Sequence, residues 1–487
     1  MPTKKSAKPA EQGAAILEKL KADKVRWVQL FYTDVFGGYN MISVPLYALE
    51  AEMFEGGVPK LDGSSVRGFR EIFESDMVLI PDARTLARIP WNPESGGTAR
   101  FICDIRIGGA SAPYEHDPRG VARKTEQVLA DAGYDTSYWG PEIEFFVFDS
   151  VQLLPSAEAV RDAWSGAGYL LGDSEAPWQA GPIHPTIRFK EGYHRTPPHD
   201  SLIGLRDEMC NILTDDFHLT MDAHHHEVAT ASQSELNVRF DELVPMGDHI
   251  QDVRYVIRNV AARHGKIACL MPKPVYGDNG IGMHTNQSLW SKGRNMFYDA
   301  ADQYAEVSQT CRYYIGGLLE HARALCAITN PITNSYRRLV PGYEAPVFIA
   351  WSKANRSANV RIPFYHRGRP GPKRIEYRTP DSAANIYLTE AALALAGLDG
   401  IRRKIEPPPP VDENIYKLSP AKRRELRIRE LPGSLGEALD CLESDRTFLK
   451  PAFANSLLDT YVEFKRQEQL ELNLRPHPYE FYKYLDV

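Results

Sequence analysis

The sequence predicts an α+β protein built from two domains. A chain of 487 residues can bury a large core and is more often divided into two domains than folded as one. Up to residue 106, short strand-like runs accompany one or two helices, which indicates a small α+β unit. Beyond residue 113, strands alternate with long amphipathic helices, which indicates a larger second domain.

The small domain begins with a helix predicted over residues 10–23. Apolar and aromatic runs then predict strands, and a stretch rich in glycine and proline reaches Asp62-Gly63-Ser64-Ser65. Four strands are expected, over residues 25–33, 39–45, 76–81 and 99–106.

The second domain begins with a helix over residues 117–132, because Asp117 can cap it and Pro118 fits its first turn. Four prolines after Glu406 form a stiff connector to a charged, helical C-terminal region. Further long helices are expected over residues 248–264, 298–327 and 384–400. With the break at Gly108 to Pro113 as boundary, the chain divides into a solvated tail, a small domain and a large domain, at residues 1–15, 16–110 and 111–487.

Composition points to an ordinary soluble protein, with 43% hydrophobic and 25% charged residues. A net charge of −7 gives no electrostatic reason to expect nucleic acid. There is no apolar run of about 18 residues, so no membrane span is expected. Six scattered cysteines without a CxxC pair fit reduced thiols. We therefore expect a cytoplasmic protein with neither a membrane nor a nucleic-acid partner.

Two carboxylates lie on one predicted strand among aromatic residues. Glu142 and Glu144 are two positions apart, so they share one face of that strand. A solvent-exposed strand edge is the alternative, but Phe145, Phe146 and Phe148 argue against exposure. Burying such charges is costly unless they are paired or bind a metal. The pair therefore predicts oxygen ligands for a hard divalent cation.

A second acidic segment contains three consecutive histidines, His224 to His226, followed by Glu227 and Glu235. Both carboxylates could add metal ligands. Consecutive residues of a strand point to opposite faces, so the three imidazoles cannot all converge on one ion. The alternative for these histidines is an ordinary structural role.

A glycine-rich loop and a series of arginines complete the pattern. The loop, residues 271–288, permits close backbone approach to a ligand, and His284 within it can be a metal ligand or a structural partner; an ordinary turn is the alternative. Proline and glycine around Glu344 predict a loop that can act as a lid. Arginines bind carboxylate and phosphate with bidentate geometry, and several occur within residues 334–346, 355–363 and 374–378.

These groups together suit phosphoryl transfer with two metal ions. Metals bridge phosphates, arginines neutralise developing charge, and a carboxylate removes a proton. On the residues alone a hydrolytic two-metal enzyme is the alternative, but it does not easily explain so many arginines beside a carboxylate site.

The chain resembles type I glutamine synthetases from about residue 25 to Val487. Matching strings include Gly140-Pro-Glu-Ile-Glu-Phe-Phe, His225-His-Glu-Val-Ala-Thr-Ala, Asn355-Arg-Ser-Ala and Arg475-Pro-His-Pro-Tyr-Glu-Phe. The resemblance implies an N-terminal β-grasp domain and a catalytic α/β domain with a curved antiparallel sheet. It also implies a dodecamer of two hexameric rings, with each active site between neighbouring subunits.

The same resemblance implies a ligase of glutamine biosynthesis, and so of nitrogen metabolism. Such an enzyme joins ammonium to the γ-carboxylate of L-glutamate through γ-glutamyl phosphate, giving L-glutamine, ADP and phosphate. ATP would be the co-substrate, with two or three Mg²⁺ or Mn²⁺ ions in each active site.

Roles for single residues also follow from the resemblance. One metal would be held by Glu144, Glu227 and Glu235, and the second by Glu142, His284 and Glu376. Glutamate would contact Asn279, Gly280, Arg338 and Arg378. The nucleotide would contact Phe240 at adenine, Ser288 near the phosphates, and Arg361 and Arg374. The catalytic residues would be Arg356 at the transferred phosphoryl group, Asp62 from the neighbouring subunit, which deprotonates ammonium, and Glu344, which closes the ammonium site.

Departures from the family pattern leave two alternatives open. Asn286 stands where a histidine is frequent, Asp222 stands where a glutamate is common, and the loop 364–373 is slightly longer than usual. One alternative is a γ-glutamyl ligase for another amine, although Asp62 and Glu344 are both kept. The other is a catalytically inactive relative, although all six metal ligands are kept.

Two forms of regulation in the family are predicted to be weak here. Tyr416 matches the tyrosine of adenylylated relatives, but Lys417 replaces an acidic neighbour. Glu71 takes the place of a glutamine-sensing arginine, although Arg67 and Arg70 lie close. A carboxylate at that position would repel the α-carboxylate of glutamine.

Overall fold

The computed structural model describes residues 9–69, 75–91, 96–109, 112–154, 168–178, 185–364 and 367–486. Within these residues the small domain contains helices α1 (Pro9–Ala22) and α2 (Met53–Gly56) and a six-stranded sheet. Its strands are β1 (Trp27–Thr33), β2 (Tyr39–Pro45), β3 (Val58–Asp62), β4 (Asp76–Pro81), β5 (Ala87–Ile89) and β6 (Thr98–Ile107).

The small sheet has the order β2-β1-β6-β4-β3, with β5 beside β6. Strands β1 and β6 pair in parallel, and the other pairs are antiparallel. The four expected strands and the first helix are confirmed. Strands β3 and β5 were missed, because three to five residues are too few for a period-two pattern to show.

The large domain is built on a ten-stranded sheet. Seven of its strands follow the order β10-β11-β7-β14-β19-β18-β17, β12 and β13 also pair with β7, and β15 pairs with β14. All its pairs are antiparallel except β17 with β18. The described strands of this domain, including two short two-stranded pairs, are β7 (Thr136–Phe148), β8 (Ser150–Leu154), β9 (Gly168–Gly172), β10 (Met221–His226), β11 (Ser234–Val238), β12 (Asp241–Glu242), β13 (Ile267–Cys269), β14 (Thr285–Ser291), β15 (Arg294–Asn295), β16 (Phe348–Ile349), β17 (Trp351–Lys353), β18 (Val360–Ile362), β19 (Ile375–Tyr377) and β20 (Arg429–Glu430).

The described helices of the large domain are α3 (Pro118–Asp131), α4 (Ile203–Asp215), α5 (Leu243–Arg263), α6 (Gln309–Glu320), α7 (Ala322–Thr329), α8 (Ser335–Arg338), α9 (Ile386–Arg403), α10 (Pro420–Glu425), α11 (Leu435–Ser444), α12 (Asn455–Asn473) and α13 (Pro478–Tyr484). The expected helices over 117–132, 248–264 and 384–400 are confirmed, although α5 begins earlier than predicted. As predicted, Asp117 caps α3, and its side chain accepts a hydrogen bond from Arg119 N.

The single helix expected over residues 298–327 is wrong. The structure has two helices, because Ser308 caps α6 and so fixes its start, with its side chain accepting from Cys311 N. A break follows at His321, whose ring nitrogens lie 2.9 Å from Asp399 and 2.8 Å from Asp445. Local apolar periodicity could not show either feature.

Helix α9 is buried along almost its whole length and packs against other helices, α6 above all. Gly397 lies against the ring of Tyr314, and Gly317 of α6 lies against Gly400, so a side chain at any of these glycines would collide with its neighbour. Glycine therefore lets α6 and α9 approach closely. The hydroxyl of Tyr314 in turn donates to Gln287 of β14 at 2.5 Å, which ties the helices to the sheet.

A buried ionic network joins the two domains. Arg119, at the start of α3, contacts Asp82 and Asp104 of the small domain at 2.8 and 2.5 Å, and Asp248 of α5 at 2.7 Å. Arg100 of β6 pairs with Asp252, also on α5. Removing one member would leave a buried charge uncompensated, so these contacts fix the position of the small domain.

Among the described residues, no helix is long and apolar enough to cross a membrane. All six cysteines fall in described parts of the chain, and each is free. Apolar and aromatic side chains are exposed near the C-terminal end: Leu470, Leu474, Tyr479, Phe481, Tyr482, Tyr484 and Leu485.

Candidate active site

A cavity of about 340 Å³ opens on the face of the large sheet. Glu142 and Glu144 both line it, because they alternate with buried apolar residues along β7. This confirms that the two carboxylates share one face of a strand. The remaining four predicted metal ligands line the same cavity: Glu227, Glu235, His284 and Glu376.

One group of candidate ligands is formed by Glu142, His284 and Glu376. His284 Nδ1 lies 3.4 Å from Glu142 Oε2 and 3.8 Å from Glu376 Oε1. One ligand atom from each residue lies within 4.8 Å of the other two, so all three can reach one ion. This is the trio that the resemblance implies.

A second group brings His225 together with Glu227 and Glu235, again within 4.8 Å of one another. Glu144 is not part of this tightest group, but it lies directly opposite Glu235 in the pairing of β7 with β11. The resemblance implied Glu144 as ligand and did not include His225. Carboxylate oxygens are the ligands that Mg²⁺ and Mn²⁺ prefer, so Glu227 and Glu235 fit either ion.

The three histidines diverge, as predicted from strand alternation. His224 Nε2 lies 2.8 Å from Asp207, and His226 Nε2 lies 3.2 Å from the buried Glu175. Only His225 faces the cavity. Structural roles for His224 and His226 are therefore the correct interpretation.

The cavity carboxylates disfavour their own ionisation. Burial, followed by the charge of Glu235, raises the pKa of Glu144 to about 7. Burial and then Glu376 raise the pKa of Glu142 well above its usual value, and burial and then Glu144 do the same for Glu227. Such crowding of like charges suits a site for divalent cations, which would favour the ionised forms.

Glu376 differs from the other cavity carboxylates because two arginines contact it. Arg378 Nη1 lies 2.5 Å from its Oε1, and Arg361 pairs with its Oε2. Burial opposes ionisation, but Arg378 and Arg361 outweigh it and lower the pKa of Glu376. Arg338 also lines the cavity and donates to the backbone oxygens of Thr379 and Arg378, and Arg356 completes the set of four arginines.

Asn279 and Gly280 lie beside these arginines on the lining of the cavity. A Cβ atom at Gly282 would lie 2.9 Å from Arg338 Nη2 and 3.1 Å from Glu144 Oε1. Glycine at this position therefore keeps open the space between a cationic and an anionic group.

A second cavity, of about 350 Å³, adjoins the first, and Glu142, Asp222 and Asn237 line both. Phe240, Ser288 and Arg374 line this second cavity and not the first. Phe240 is 58% exposed there and meets the ring of Tyr138 edge-on, with centroids 5.2 Å apart. This cavity therefore offers both an exposed aromatic ring and an arginine.

Asn286 connects the two cavities. Its side-chain amide donates to Glu142 Oε1 at 3.1 Å, and its oxygen accepts from Arg374 Nε at 2.8 Å. Where the family often has a histidine, this chain therefore has an uncharged amide, Asn286, which joins the candidate metal ligand Glu142 to the candidate phosphate-binding Arg374.

Glu344 lies at the edge of the first cavity, on the loop that joins α8 to β16, with φ of +60°. Asp62 does not line the cavity of its own chain. It is exposed at the end of β3, where it accepts hydrogen bonds from Ser64 N and Oγ at 2.9 and 2.7 Å. Of the predicted site residues, Asp62 alone lies away from both cavities.

Sequence reasoning missed three kinds of residue at the site. Gln233 donates to Glu144 Oε2 and to Gly280 O, both at 3.1 Å, and so joins the metal and substrate groups. Tyr193 lines the first cavity beside Arg356, and Tyr138 and Trp290 line the second. Gln233 lies between Glu227 and Glu235 in the acidic segment, but nothing in its residue type signalled a role at the site.

Comparison with known proteins agrees with this geometry. Residues 24–107 match the family model "Glutamine synthetase, beta-Grasp domain", and residues 115–484 match "Glutamine synthetase, catalytic domain". A glutamine synthetase of Sulfolobus acidocaldarius is 51% identical over 96% of this chain and 98% of its own, and that of Escherichia coli is 43% identical over 97% and 99%.

A solved structure of similar shape is the Plasmodium falciparum glutamine synthetase, with a TM-score of 0.86. It is 27% identical, and the match covers 97% of this chain and 98% of that one. The expected fold, a β-grasp domain followed by a catalytic domain with a curved, mainly antiparallel sheet, is confirmed. With both domains matched in order and relatives aligned over nearly their full lengths, the chain belongs to the glutamine synthetase family.

Proposed function

We propose that this enzyme joins ammonium to the γ-carboxylate of L-glutamate at the expense of ATP, giving L-glutamine, ADP and phosphate. One observation supports the proposal above all. Two groups of carboxylate and imidazole ligands share a cavity with four arginines, and an exposed aromatic ring lines an adjoining cavity. A hydrolase would not need so many cations facing one small anionic substrate.

The metal ligands are proposed in two sets. Glu142, His284 and Glu376 would hold one ion, and Glu144, Glu227 and Glu235 would hold the other. Two or three Mg²⁺ or Mn²⁺ ions, when bound, would neutralise and orient phosphate oxygens. The raised pKa values of Glu142 and Glu144 support this fit, since a cation relieves the repulsion that raises them.

Glutamate is proposed to bind at Arg338, Arg378, Asn279 and Gly280. Arg378 is buried, and its Nε has no hydrogen-bond partner among the described residues. An unsatisfied buried donor is costly, so a substrate carboxylate at this position would stabilise the site.

The first chemical step is attack by a γ-carboxylate oxygen of glutamate on the terminal phosphorus of ATP, with ADP as leaving group. Arg356 and Arg361 at the first cavity and Arg374 at the second would stabilise the charge on the transferred group. Phe240 would pack against adenine, and Ser288 would lie near the phosphates. The product of this step is γ-glutamyl phosphate.

In the second step, Asp62 of the partner subunit would take a proton from ammonium. The nitrogen lone pair would then attack the acyl carbon, and phosphate would leave. Asp62 is suited to hold a cation, because hydrogen bonds from Ser64 lower its pKa. Glu344 would close the ammonium site against water.

The exposed position of Asp62, away from its own cavity, supports an active site shared between subunits. The apolar side chains exposed near the C-terminal end support further contacts between copies, because patches of this kind mark interaction surfaces. We propose a homododecamer of two hexameric rings, located in the cytoplasm.

Turnover assays with ATP and glutamate test the reaction directly. Ammonium should be used far better than a panel of primary amines, and L-methionine sulfoximine with ATP should give a tightly held, phosphorylated inhibitor. Preference for an alkylamine would identify a γ-glutamyl ligase of another specificity. Absence of all turnover in a metal-loaded oligomer would identify an inactive relative.

The shared site has its own test. Asp62→Ala should lower turnover with ammonium by about 10²–10⁴-fold while leaving ATP binding nearly intact. Mixing this variant with Glu376→Gln under conditions of subunit exchange should restore part of the activity. A fully active monomer would contradict the shared site.

A further inference from the structure

The loop between α8 and β16 carries an aromatic ring next to Glu344. Tyr343 and Glu344 both line the first cavity, and Gly342 and Glu344 have φ of +94° and +60°. The ring of Tyr343 is half-buried, whereas Pro341, Gly342 and Glu344 are exposed. Tyr343 is therefore the side chain that anchors the exposed tip of this loop, residues 341–344.

Two ammonium groups contact that ring. Lys190 Nζ lies 4.2 Å from the centroid of Tyr343, and Lys273 Nζ lies 3.9 Å from it. Lys190 Nζ also donates to Gly342 O at 3.0 Å. Both distances are within the range in which a cation is attracted to an aromatic face.

The lysines come from distant segments but share one support. Asp278 is completely buried; its Oδ1 accepts from Lys190 N at 3.0 Å, and its backbone oxygen accepts from Lys273 Nζ. Lys273 is held further by Asn334, which accepts from its backbone N at 2.7 Å. Since Asn279 follows Asp278, the support of the lysines is continuous with the proposed glutamate site.

We infer that Lys190 and Lys273 act as positioning residues that clamp Tyr343 and so hold the Glu344 loop over the glutamate end of the cavity. Two cations this close repel each other, so an electron-rich ring between them stabilises both. Burial is the main cause that lowers the pKa of Lys273, to about 8. The positive charges of Lys190 and Arg338 also lower it, and the carboxylate of Asp278 opposes them. The clamp therefore loosens when Lys273 loses its charge at alkaline pH.

The consequence concerns water, and it rests on the proposed role of Glu344. With the loop open, a water oxygen can attack the acyl carbon of γ-glutamyl phosphate. Phosphate then leaves with the bonding pair, and glutamate is regenerated without glutamine being made. The clamp thus favours ammonia over water as the nucleophile.

Two readouts test the clamp in the full-length oligomer. The first is hydrogen exchange of residues 339–347, and the second is glutamate-dependent phosphate release from ATP without ammonium. Lys273→Met and Tyr343→Leu should each raise both rates by about five- to tenfold, the size expected when a partly desolvated cation–π contact is removed. The KM for ammonium should rise, while the KM for ATP stays nearly unchanged.

Matched controls separate the clamp from general damage. Tyr343→Phe keeps the ring and Lys273→Arg keeps the charge, so both should behave as wild type. Lys353→Met is the control for loss of a lysine–tyrosine contact elsewhere. Lys353 Nζ lies 4.6 Å from the ring centroid of Tyr304, and Lys353 lines neither cavity, so this variant should change neither rate.

Unchanged exchange and phosphate release in both Lys273→Met and Tyr343→Leu would overturn the clamp. Glu344→Ala distinguishes the clamp from the proposed role of Glu344. If Glu344→Ala causes no phosphate leak while Lys273→Met still speeds exchange, the clamp stands and the shielding role of Glu344 is wrong. If Glu344→Ala leaks but the clamp variants change neither rate, the clamp is wrong and the shielding role stands.

Discussion

The domain interface and the active-site cavity both bury carboxylates, but the two regions surround them differently. At the interface, Asp82 and Asp104 contact Arg119 at 2.8 and 2.5 Å. Burial opposes the ionisation of both aspartates, but neighbouring arginines outweigh it. The pKa of Asp82 is lowered by Arg84 and Arg119, and that of Asp104 by Arg119 and Arg123. These carboxylates are ionised and paired, so they serve the fold.

In the cavity, the charges that act most strongly on three of the carboxylates are those of other carboxylates. Burial is the largest cause of the raised pKa values of Glu142, Glu144 and Glu227. The next cause is the charge of Glu376 for Glu142, of Glu235 for Glu144, and of Glu144 for Glu227. Residues of the same type thus differ in role according to their partners. Buried carboxylates that repel one another mark the cation-binding region, whereas pairing with arginine occurs both in the scaffold and, at Glu376, in the cavity.

The largest expected effect is on catalysis in the cavity. Glu144→Gln should lower kcat by more than about a hundredfold, because even an outer-shell partner of a metal is typically worth 10–100-fold. The metal-free variant should nevertheless unfold at the same or a higher temperature than wild type, since one repelling charge is gone. Activity assays with excess Mg²⁺, together with thermal unfolding in a chelator, check both parts.

The opposite result is expected at the interface. Arg119→Met leaves three aspartates without their shared cation, so it should reduce the free energy of unfolding by about 3–5 kcal/mol. ATP binding per folded oligomer should change little, because Arg119 lines neither cavity. Urea unfolding measures the loss, and Arg84→Met, at a largely exposed partner of Asp82, is the milder control. Equal losses for the two variants would contradict the comparison.

The pH dependence of stability should separate Asp82 and Asp104 at the interface from Glu144 in the cavity. Asp82 and Asp104 have lowered pKa values, so their contribution is present above about pH 3.9 and is lost as the pH falls through the folded values. Glu144 has a raised pKa, so its contribution is present below about pH 4.3 and is lost as the pH rises through about 7.

Stability curves of metal-free protein from pH 4 to 8 provide the measurement. The difference between Glu144→Gln and wild type should grow in favour of the variant across that range, and saturating Mg²⁺ should abolish the trend. A difference that is independent of pH would show that Glu144 does not titrate as described.

The smallest expected effect is on covalent regulation. The hydroxyl of Tyr416 donates to the backbone oxygen of Ala345 at 2.6 Å, and burial raises its pKa to about 12. The hydroxyl that would be modified is therefore already hydrogen-bonded, and Lys417 replaces the acidic neighbour that adenylylated relatives have. We therefore expect no adenylylation at Tyr416. Intact-mass measurement of protein from its native host checks this, and an added adenylyl group would refute it.

We also expect glutamine to inhibit this enzyme only weakly. Glu71 and Arg70 lie outside the described residues. Arg67 is described, and its guanidinium lies over the rings of Phe36 and Phe464, at 4.6 and 4.9 Å from their centroids. These ring contacts compete with any use of Arg67 as a replacement for the glutamine-sensing arginine. Strong inhibition by submillimolar glutamine would contradict the expectation.

Sequence patterns predicted the parts of the site that obey local rules. Glu142 and Glu144 follow from alternation along one strand, and the divergence of the three histidines follows from the same rule. The metal-ligand role of Glu376, and the division of the ligands between two ions, required the resemblance, since strands distant in the chain bring these residues together. Nothing local could predict that Lys190 and Lys273 meet at Tyr343, or that His321 interrupts a helix by contacts with Asp399 and Asp445.

Counting bound Mn²⁺ is the most direct test of two separate metal sites formed by mutually repelling carboxylates. Electron paramagnetic resonance of free Mn²⁺, titrated into the wild-type oligomer and into Glu376→Gln and Glu227→Gln, gives the number of ions per subunit. Wild type should bind at least two ions, and each variant should lose one while keeping the other. Unchanged binding in both variants, or loss of all sites from either one, would contradict the assignment of Glu376 and Glu227 to different ions.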